Sequence, residues 1–322
     1  TTEFVGEERT FDTWMDSSVS PLFVSKFNKD QEFFNKVYPT AIRPQAKDIV
    51  RTWLYYTLLR CEQLTGKKPW SEAWIMGYGL DEKGMKMSKS KGNAIDPLPV
   101  IEQFGADTFR FWSASEINHG YDFRCNEQKI ESTKKFLSKL WNVSRFLSSF
   151  PVIEAGTSTA TDKWILSELD NLIKECKKGY DEYNFFIPAI AIREFTWNLF
   201  AAHYIEMVKA RAYGIGFSDE ERDGAIYTLH KTLSTILKLL APITPFITEY
   251  LWKTLYSTES IHKQHQVEIE SKYNQDKITK EITEFNSKVW NEKKTKNLSL
   301  KDSITVTIPE NLESFKKDLK SM

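Results

Sequence analysis

At 322 residues the chain exceeds one ordinary domain of roughly 100–200 residues, which predicts two or three domains around a sizeable core and excludes a staple-dependent mini-protein. Lys plus Arg and Asp plus Glu number 44 each, so bulk charge supports neither a histone-like binder nor an acidic tail, and any nucleic-acid surface must be local. Three widely spaced cysteines, Cys61, Cys125 and Cys176, fit a reducing, cytoplasmic compartment and argue against a structural zinc site, while a mean hydropathy of −0.46 with no apolar run of about 18 residues argues against a membrane span.

The chain opens at Thr1-Thr2-Glu3-Phe4 without an initiator Met, a charged n-region or an apolar h-region, which reads as a fragment rather than a natural start. After Pro44, apolar groups at Ile49, Trp53, Tyr56 and Leu59 recur at helical spacing and predict a helix from about 45 to 62. Trp74-Ile75-Met76-Gly77-Tyr78-Gly79 is a short apolar segment ending in glycines, the pattern of a buried strand. Residues 81–93 are rich in Lys, Gly and Ser and form a mobile basic loop. A helix is expected over about 97–121, then a basic amphipathic helix over about 126–150 carrying Lys129, Lys134, Lys135, Lys139 and Arg145. The small polar run 151–161 has linker composition and predicts a domain boundary.

Beyond it, apolar residues recur at Ile165, Leu169, Leu172 and Cys176, then at Ile192, Phe195 and Leu199, then at Ile226, Leu229, Leu233 and Leu240. These mark three or four amphipathic helices packed as a bundle, first capped at Thr161 or Asp162, with Pro242 and Pro245 punctuating the way into a further helix to about Tyr256. Residues 257–322 are highly polar, with a helix expected around 280–293 and a strand at Ile304-Thr305-Val306-Thr307-Ile308.

The sharpest local signal is Lys86-Met87-Ser88-Lys89-Ser90, followed by Lys91-Gly92-Asn93. At ordinary residue frequencies such a pentapeptide arises by chance in about one chain of this length in ten thousand. A mobile loop with two lysines can close on a triphosphate and neutralise charge as it develops on the pentavalent phosphorus and the departing pyrophosphate. Ammonium groups on flexible stems suit that task. The loop resembles the KMSKS signature of class I aminoacyl-tRNA synthetases. Gly105-Ala106-Asp107 with Arg110-Phe111-Trp112 is similar to the run that follows that loop, at the start of the fold contacting the inner corner of tRNA. Asp162-Lys163-Trp164-Ile165-Leu166, Trp197-Asn198-Leu199-Phe200 and Pro242-Ile243-Thr244-Pro245-Phe246-Ile247-Thr248-Glu249 resemble helices of the family's anticodon-binding bundle. The likeness runs in the right order over roughly residues 3–256.

Asp12-Thr13-Trp14-Met15-Asp16-Ser17-Ser18 and Arg43-Pro44-Gln45-Ala46-Lys47-Asp48-Ile49-Val50-Arg51-Thr52-Trp53 resemble the valyl branch of the class, of archaeal type. That resemblance implies Trp14 and Trp53 as walls of a valine pocket, Gln45 and Asp48 facing the adenylate ribose, and Met87 and Lys89 at ATP. It implies Lys86 and Lys89 as the groups that stabilise pyrophosphate departure, ATP with Mg2+ as substrate, and valine and tRNA-Val as partners. Two rigid indoles do make a small apolar slot, and a carboxylate beside an amide can hold a diol. The implied fold is α/β plus all-α. It comprises the C-terminal half of a Rossmann-like catalytic domain over 1–96, a connector to the tRNA inner corner over 97–155, a helical anticodon-binding domain over 156–256 and a small α+β appendage over 257–322.

The sequence departs from the family in one respect: none of His119, His203, His230, His262 and His265 stands in a His-x-Gly-His motif, and no editing insertion precedes Asp12. The chain therefore resembles a C-terminal portion that lacks the N-terminal half of the catalytic fold. Alone it is not expected to form valyl-adenylate, because open α/β sheets bind ligands at the switch point between their halves. RNA contact can survive, with Lys134 and Lys135 as candidates for phosphates and Arg193, Trp197 and Arg211 as candidates for bases. Two other readings stay open: an isoleucyl- or leucyl-type fragment, against which the Trp14, Asp48 and Trp53 set counts, and a non-catalytic tRNA-binding module descended from a synthetase.

Overall fold

A computed structural model describes residues 4–10, 12–265, 267–269, 278–299 and 302–322. The chain divides into two compact units, one of Thr1–Ile95 with Ile117–Cys125 and one of Asp96–Glu116 with Asn126–Met322.

In the first unit three short helices, α1 (Thr13–Ser17), α2 (Ser20–Val24) and α3 (Gln31–Val37), precede strand β1 (Thr40–Ala46). Asp12 and Asp30 cap α1 and α3, their carboxylates accepting from Trp14 N at 2.9 Å and Phe33 N at 3.0 Å. After β1 the chain winds through a 3-10 turn (Lys47–Ile49) and a π-helical stretch (Val50–Leu54) into α4 (Tyr55–Thr65), which stops at Gly66 in the left-handed region, φ +67°. Strand β2 (Trp70–Met76) returns parallel to β1, with Thr40 opposite Trp70 and Ala46 opposite Met76. Strand, helical crossover and parallel strand make up the repeating unit of an α/β sheet. The helix expected from residue 45 begins two residues later, since Pro44 and Gln45 belong to β1. Pro44 is tolerated there because each strand of a two-stranded sheet is an edge. A second parallel pair, β3 (Gly79–Leu80) with β4 (Phe123–Arg124), seats the returning segment. Gly77 permits that return: a Cβ at this position would lie 1.9 Å from the Tyr121 carbonyl oxygen.

The second unit is helical. Its elements are α5 (Pro97–Phe104), α6 (Ala106–Glu116), α7 (Glu127–Leu147) and α8 (Ala160–Asp181), then α9 (Phe186–Glu194), which runs through a π-helical stretch (Phe195–Tyr204) into α10 (Ile205–Ala212). They continue as α11 (Asp219–Leu240), α12 (Pro245–Leu255), α13 (Thr279–Thr295) and α14 (Lys316–Lys320). Capping boxes begin α8 at Thr159 with Asp162 and α11 at Ser218 with Glu221. One continuous core joins Phe111 and Leu140 to Trp164, Tyr204 and Leu229, and extends to Ile282, Leu312 and Leu319.

Several expectations are corrected here. The helix expected over 97–121 is two helices broken at Gly105 (φ +91°) and ends at Glu116. The run 151–161 is no boundary, because residues on both sides share one core and a Cβ at Gly224 of α11 would lie 2.0 Å from the Thr157 carbonyl oxygen. The division falls near residue 95, beside the limit expected at 96, but Ile117–Cys125 of the expected connector belongs to the first unit, and residues 257–322 contribute to the bundle core through Ile282, Phe285, Val289 and Leu319 rather than standing as an appendage. The run Ile304 to Ile308 alternates as expected, with Ile304, Val306 and Ile308 against the core and Thr305 and Thr307 exposed, yet it forms no strand ladder with a described residue. Among the described residues no helix is long and apolar enough to cross a membrane.

Candidate active site and nucleic-acid interface

The carboxyl ends of β1 and β2 both open into polar chain. From β1 come Lys47 and Asp48; from β2 come Gly77, Tyr78 and the loop 81–93. In parallel α/β sheets this is the edge where ligands bind. Lys86 Nζ donates to Asp48 Oδ2 at 2.8 Å and stands 4.3 Å from the centre of the Tyr78 ring. Lys47 approaches the same ring at 4.2 Å and pairs with Asp122, whose Oδ1 also accepts the Tyr78 N–H at 2.7 Å. One phenol ring thus carries two ammonium groups, each balanced by a carboxylate. The hydrogen bond to Asp48 raises the Lys86 pKa above its usual value. Both members of that pair are a third or more exposed, so water screens it and it can break at little cost.

The loop is folded by hydrogen bonds rather than by burial. Asp81 Oδ1 accepts from Lys83 N at 3.0 Å and Met85 N at 2.8 Å, and its Oδ2 accepts from Asn93 Nδ2 at 2.9 Å. Asn93 Oδ1 in turn accepts from Ser88 N at 2.9 Å. These donors, Asn93 foremost, hold the Asp81 carboxyl below the usual carboxylate range. Met87 N donates to Gly79 O at 3.0 Å, and its side chain covers Gly79 so closely that a Cβ there would meet Met87 Cε at 2.7 Å. Lys89 is exposed on a single 3-10 turn (Lys89–Lys91) that ends at Gly92 with φ +68°.

The structure therefore brings Asp48, Lys86 and Met87 to the carboxyl edge of the strands, with Lys89 on the same loop. Trp14 and Trp53 meet in one small cluster, but Trp53 is only 6% exposed, stacked on Trp70 at 5.8 Å under the Arg43 guanidinium at 4.2 Å. Gln45 is fully buried beneath the edge: Nε2 donates to Ala46 O at 2.9 Å, while Oε1 has no hydrogen-bond partner. Such an unpaired buried acceptor costs about 1–3 kcal/mol.

In the helical unit, Lys134, Lys135 and Lys139 of α7 line a groove of about 380 Å3 with Trp197, which is 37% exposed. Glu131 is the acidic member of that lining. Arg193 lies outside the groove and pairs with Glu194 at 3.5 Å. Arg211, expected to contact RNA, does not reach the surface. It is fully buried, with Nη1 and Nη2 each 2.8 Å from the Asp162 carboxylate and Nε 2.9 Å from Asp318 Oδ1. Tyr204 Oη completes the set by donating to Asp162 Oδ1 at 2.6 Å. A guanidinium fork matched to a carboxylate can be buried where an unpaired one cannot.

Sequence reasoning also missed how two motifs meet. Asp107 Oδ2 accepts from Ile247 N at 2.6 Å at the start of α12, and Arg110 donates to the carbonyls of Ile243 at 2.9 Å and Pro242 at 3.0 Å. The Gly105-Ala106-Asp107 run is thus a clamp on the Pro242 to Ile247 turn. Both runs were visible in the sequence, but nothing local said that they touch.

Residues 1–125 match the family described as tRNA synthetases class I (I, L, M and V), and residues 162–308 match the anticodon-binding domain of tRNA ligase. The chain is 41% identical to the valine–tRNA ligase of Aeropyrum pernix over 98% of its own length and 40% of that protein's. Further archaeal valine–tRNA ligases match at 38% to 45% identity. Over nearly its whole length the chain is similar to archaeal valyl-tRNA synthetases. It spans about two fifths of the length of the curated valyl-tRNA synthetases it matches. A leucyl-tRNA synthetase of Agrobacterium radiobacter, solved with tRNA and LeuAMS, shares the fold with a TM-score of 0.65 and 22% identity, over 80% of this chain and 33% of that one. A methionyl-tRNA synthetase of Mycobacterium tuberculosis, solved with methionyl-adenylate, does so at 0.63 and 21%, over 74% of this chain and 49% of that one. The anticodon-binding match continues to residue 308, in line with the tail being part of the bundle.

Proposed function

We propose that this chain is the C-terminal portion of a cytoplasmic valine–tRNA ligase, in which the first unit supplies the lysine loop for ATP-dependent valine activation and the second unit holds tRNA-Val. The observation that carries this reading is the pairing of Lys86 with Asp48 at the carboxyl edge of β1 and β2. In activation the valine carboxylate attacks the α-phosphorus of ATP, the bond to the bridging oxygen breaks, and pyrophosphate leaves with the developing charge. Lys86 and Lys89 meet that charge, and the adenylate ribose takes over the Asp48 carboxylate that Lys86 holds in the free protein. Magnesium would enter with the triphosphate as part of the substrate. The partner surface that completes the ATP clamp, with its His-x-Gly-His motif, comes from sequence outside this chain.

The test is valine-dependent ATP–pyrophosphate exchange by the full-length ligase carrying this sequence. On the proposed reading the valine pocket walled by Trp14 and Trp53 rejects one further methylene, so kcat/KM for valine is expected to exceed that for isoleucine by about 100-fold. Equal exchange with isoleucine or leucine would put the chain in another branch of the class. No valine-dependent exchange at all, with tRNA binding retained, would favour the non-catalytic reading.

The Lys134, Lys135 and Trp197 groove is the proposed RNA contact in the helical unit. Lys134→Ala and Lys135→Ala are each expected to weaken binding of a valine tRNA transcript and its anticodon-swapped form alike, and to reduce the slope of log K against log salt by about one. Trp197→Ala, by removing a stacking platform, is expected to cost about 1–3 kcal/mol with little change in that slope. Titrations at several salt concentrations separate the two effects.

A further inference from the structure

A cavity of about 490 Å3 opens in the helical unit where the end of α8, the turn before α9, the end of α11 and the residues Ile261, His262, Gln264, His265 and Val267 meet. Its lining shares no residue with the Lys134–Trp197 groove, and its volume is that of a small-molecule site. Tyr180 and Phe185 meet edge to face on one wall, with ring centres 5.7 Å apart at 71°. The Tyr180 hydroxyl donates to Leu239 O at 2.6 Å, which fixes that ring, and Tyr183 adds a third aromatic group to the lining.

The charges around this wall are unequal. Lys177 is held by Asp181 at 3.2 Å. Lys238 makes no ion pair with a described residue: it lies 5.1 Å from the Trp252 ring and is close enough to Lys231 to be repelled by it. Burial and that neighbouring cation both lower its pKa. A half-buried ammonium set beside a second cation is a costly arrangement that an anion relieves. An aromatic wall next to such a cation matches a planar ring that carries negative charge.

We propose that this cavity binds a nucleotide unit, its base against Tyr180, Tyr183 and Phe185 and its phosphate at Lys238. The unit has two sources, a free mononucleotide or an unstacked residue of an RNA strand, and the chemistry is the same for both. The site does not depend on the valine–tRNA ligase reading, since none of its residues belongs to the lysine loop or to the groove on α7.

The experiment is calorimetric titration of the chain with AMP, adenosine, inorganic phosphate and a short single-stranded oligoadenylate. It is repeated on Lys238→Gln, Lys238→Arg, Phe185→Leu and, as a control outside both the cavity and the α7 groove, Lys280→Gln on the exposed face of α13, with thermal unfolding to verify each fold. AMP is expected to bind more tightly than adenosine or phosphate. Lys238→Gln should weaken it about tenfold or more, Lys238→Arg should restore it to within about threefold, and Phe185→Leu should weaken it without touching the charge. Should AMP not bind while oligoadenylate binding falls with Lys238→Gln and Phe185→Leu but not with Lys280→Gln, the site stands and its source is RNA. Phosphate binding as tightly as AMP would remove the base slot from the proposal. Insensitivity of every probe to both Lys238→Gln and Phe185→Leu would overturn it entirely, and the use of two unrelated variants keeps the question decidable if one of them unfolds.

Discussion

Lys89→Ala in the full-length ligase is expected to lower valine-dependent ATP–pyrophosphate exchange by about 10²–10³-fold, the loss typical of removing one preorganised donor to developing charge. The loss should fall on kcat more than on KM, because the ammonium is worth most when the bond to pyrophosphate is breaking. Lys89 is well suited to this test. It is exposed on its turn, and the loop around it is held by Asp81 and Asn93, so the substitution leaves the fold of the loop in place. Lys86→Ala is a different experiment, since it also frees Asp48, the group proposed to take the adenylate ribose. A Lys89→Ala enzyme with unchanged exchange would sink the loop assignment.

Arg211→Ala is expected to destabilise the chain by about 3–5 kcal/mol, because it leaves Asp162 and Asp318 buried without their cation. Burial opposes the charge on Arg211, but the Asp162 hydrogen bonds and the neighbouring negative charge of Asp162 and Asp318 together outweigh it and hold the guanidinium firmly protonated. Arg211→Lys should recover only part of the loss, since an ammonium cannot reproduce the fork to Asp162 and the separate bond to Asp318. Urea unfolding of wild type and both variants measures this. A change within about 0.5 kcal/mol, the usual range for surface substitutions, would contradict the burial described above.

The bundle was legible because its helices repeat apolar residues at helical spacing, although the first cap, expected at Thr161 or Asp162, is Thr159 with Asp162 as its reciprocal partner. The lysine loop was legible because its residues are contiguous. What could not be read was set by distant partners. Thr40–Ala46 shows no alternation and contains Pro44, so only its pairing with β2 makes it a strand. Arg211 looks like any helical arginine until residues 49 and 107 positions away fold onto it. The run Ile304 to Ile308 carries the alternation of a strand because it lies with one face on the core, which produces the same pattern without a ladder. At the candidate site, Asp48 was legible as a carboxylate but its occupation by Lys86 was not, because the two are 38 residues apart.

The Arg211 set also fixes an order of events during synthesis. Asp162 and Tyr204 precede Arg211 in the chain, so the bidentate pair can close as soon as α10 has emerged. Asp318 follows 107 residues later. At about 5–20 residues per second this leaves roughly 5–20 s in which the nascent bundle carries its guanidinium with one of its two carboxylates still unmade. Throughout that interval the groove destined for α14 is open, and a chaperone or a neighbouring nascent chain meets a bundle that is helical yet incomplete.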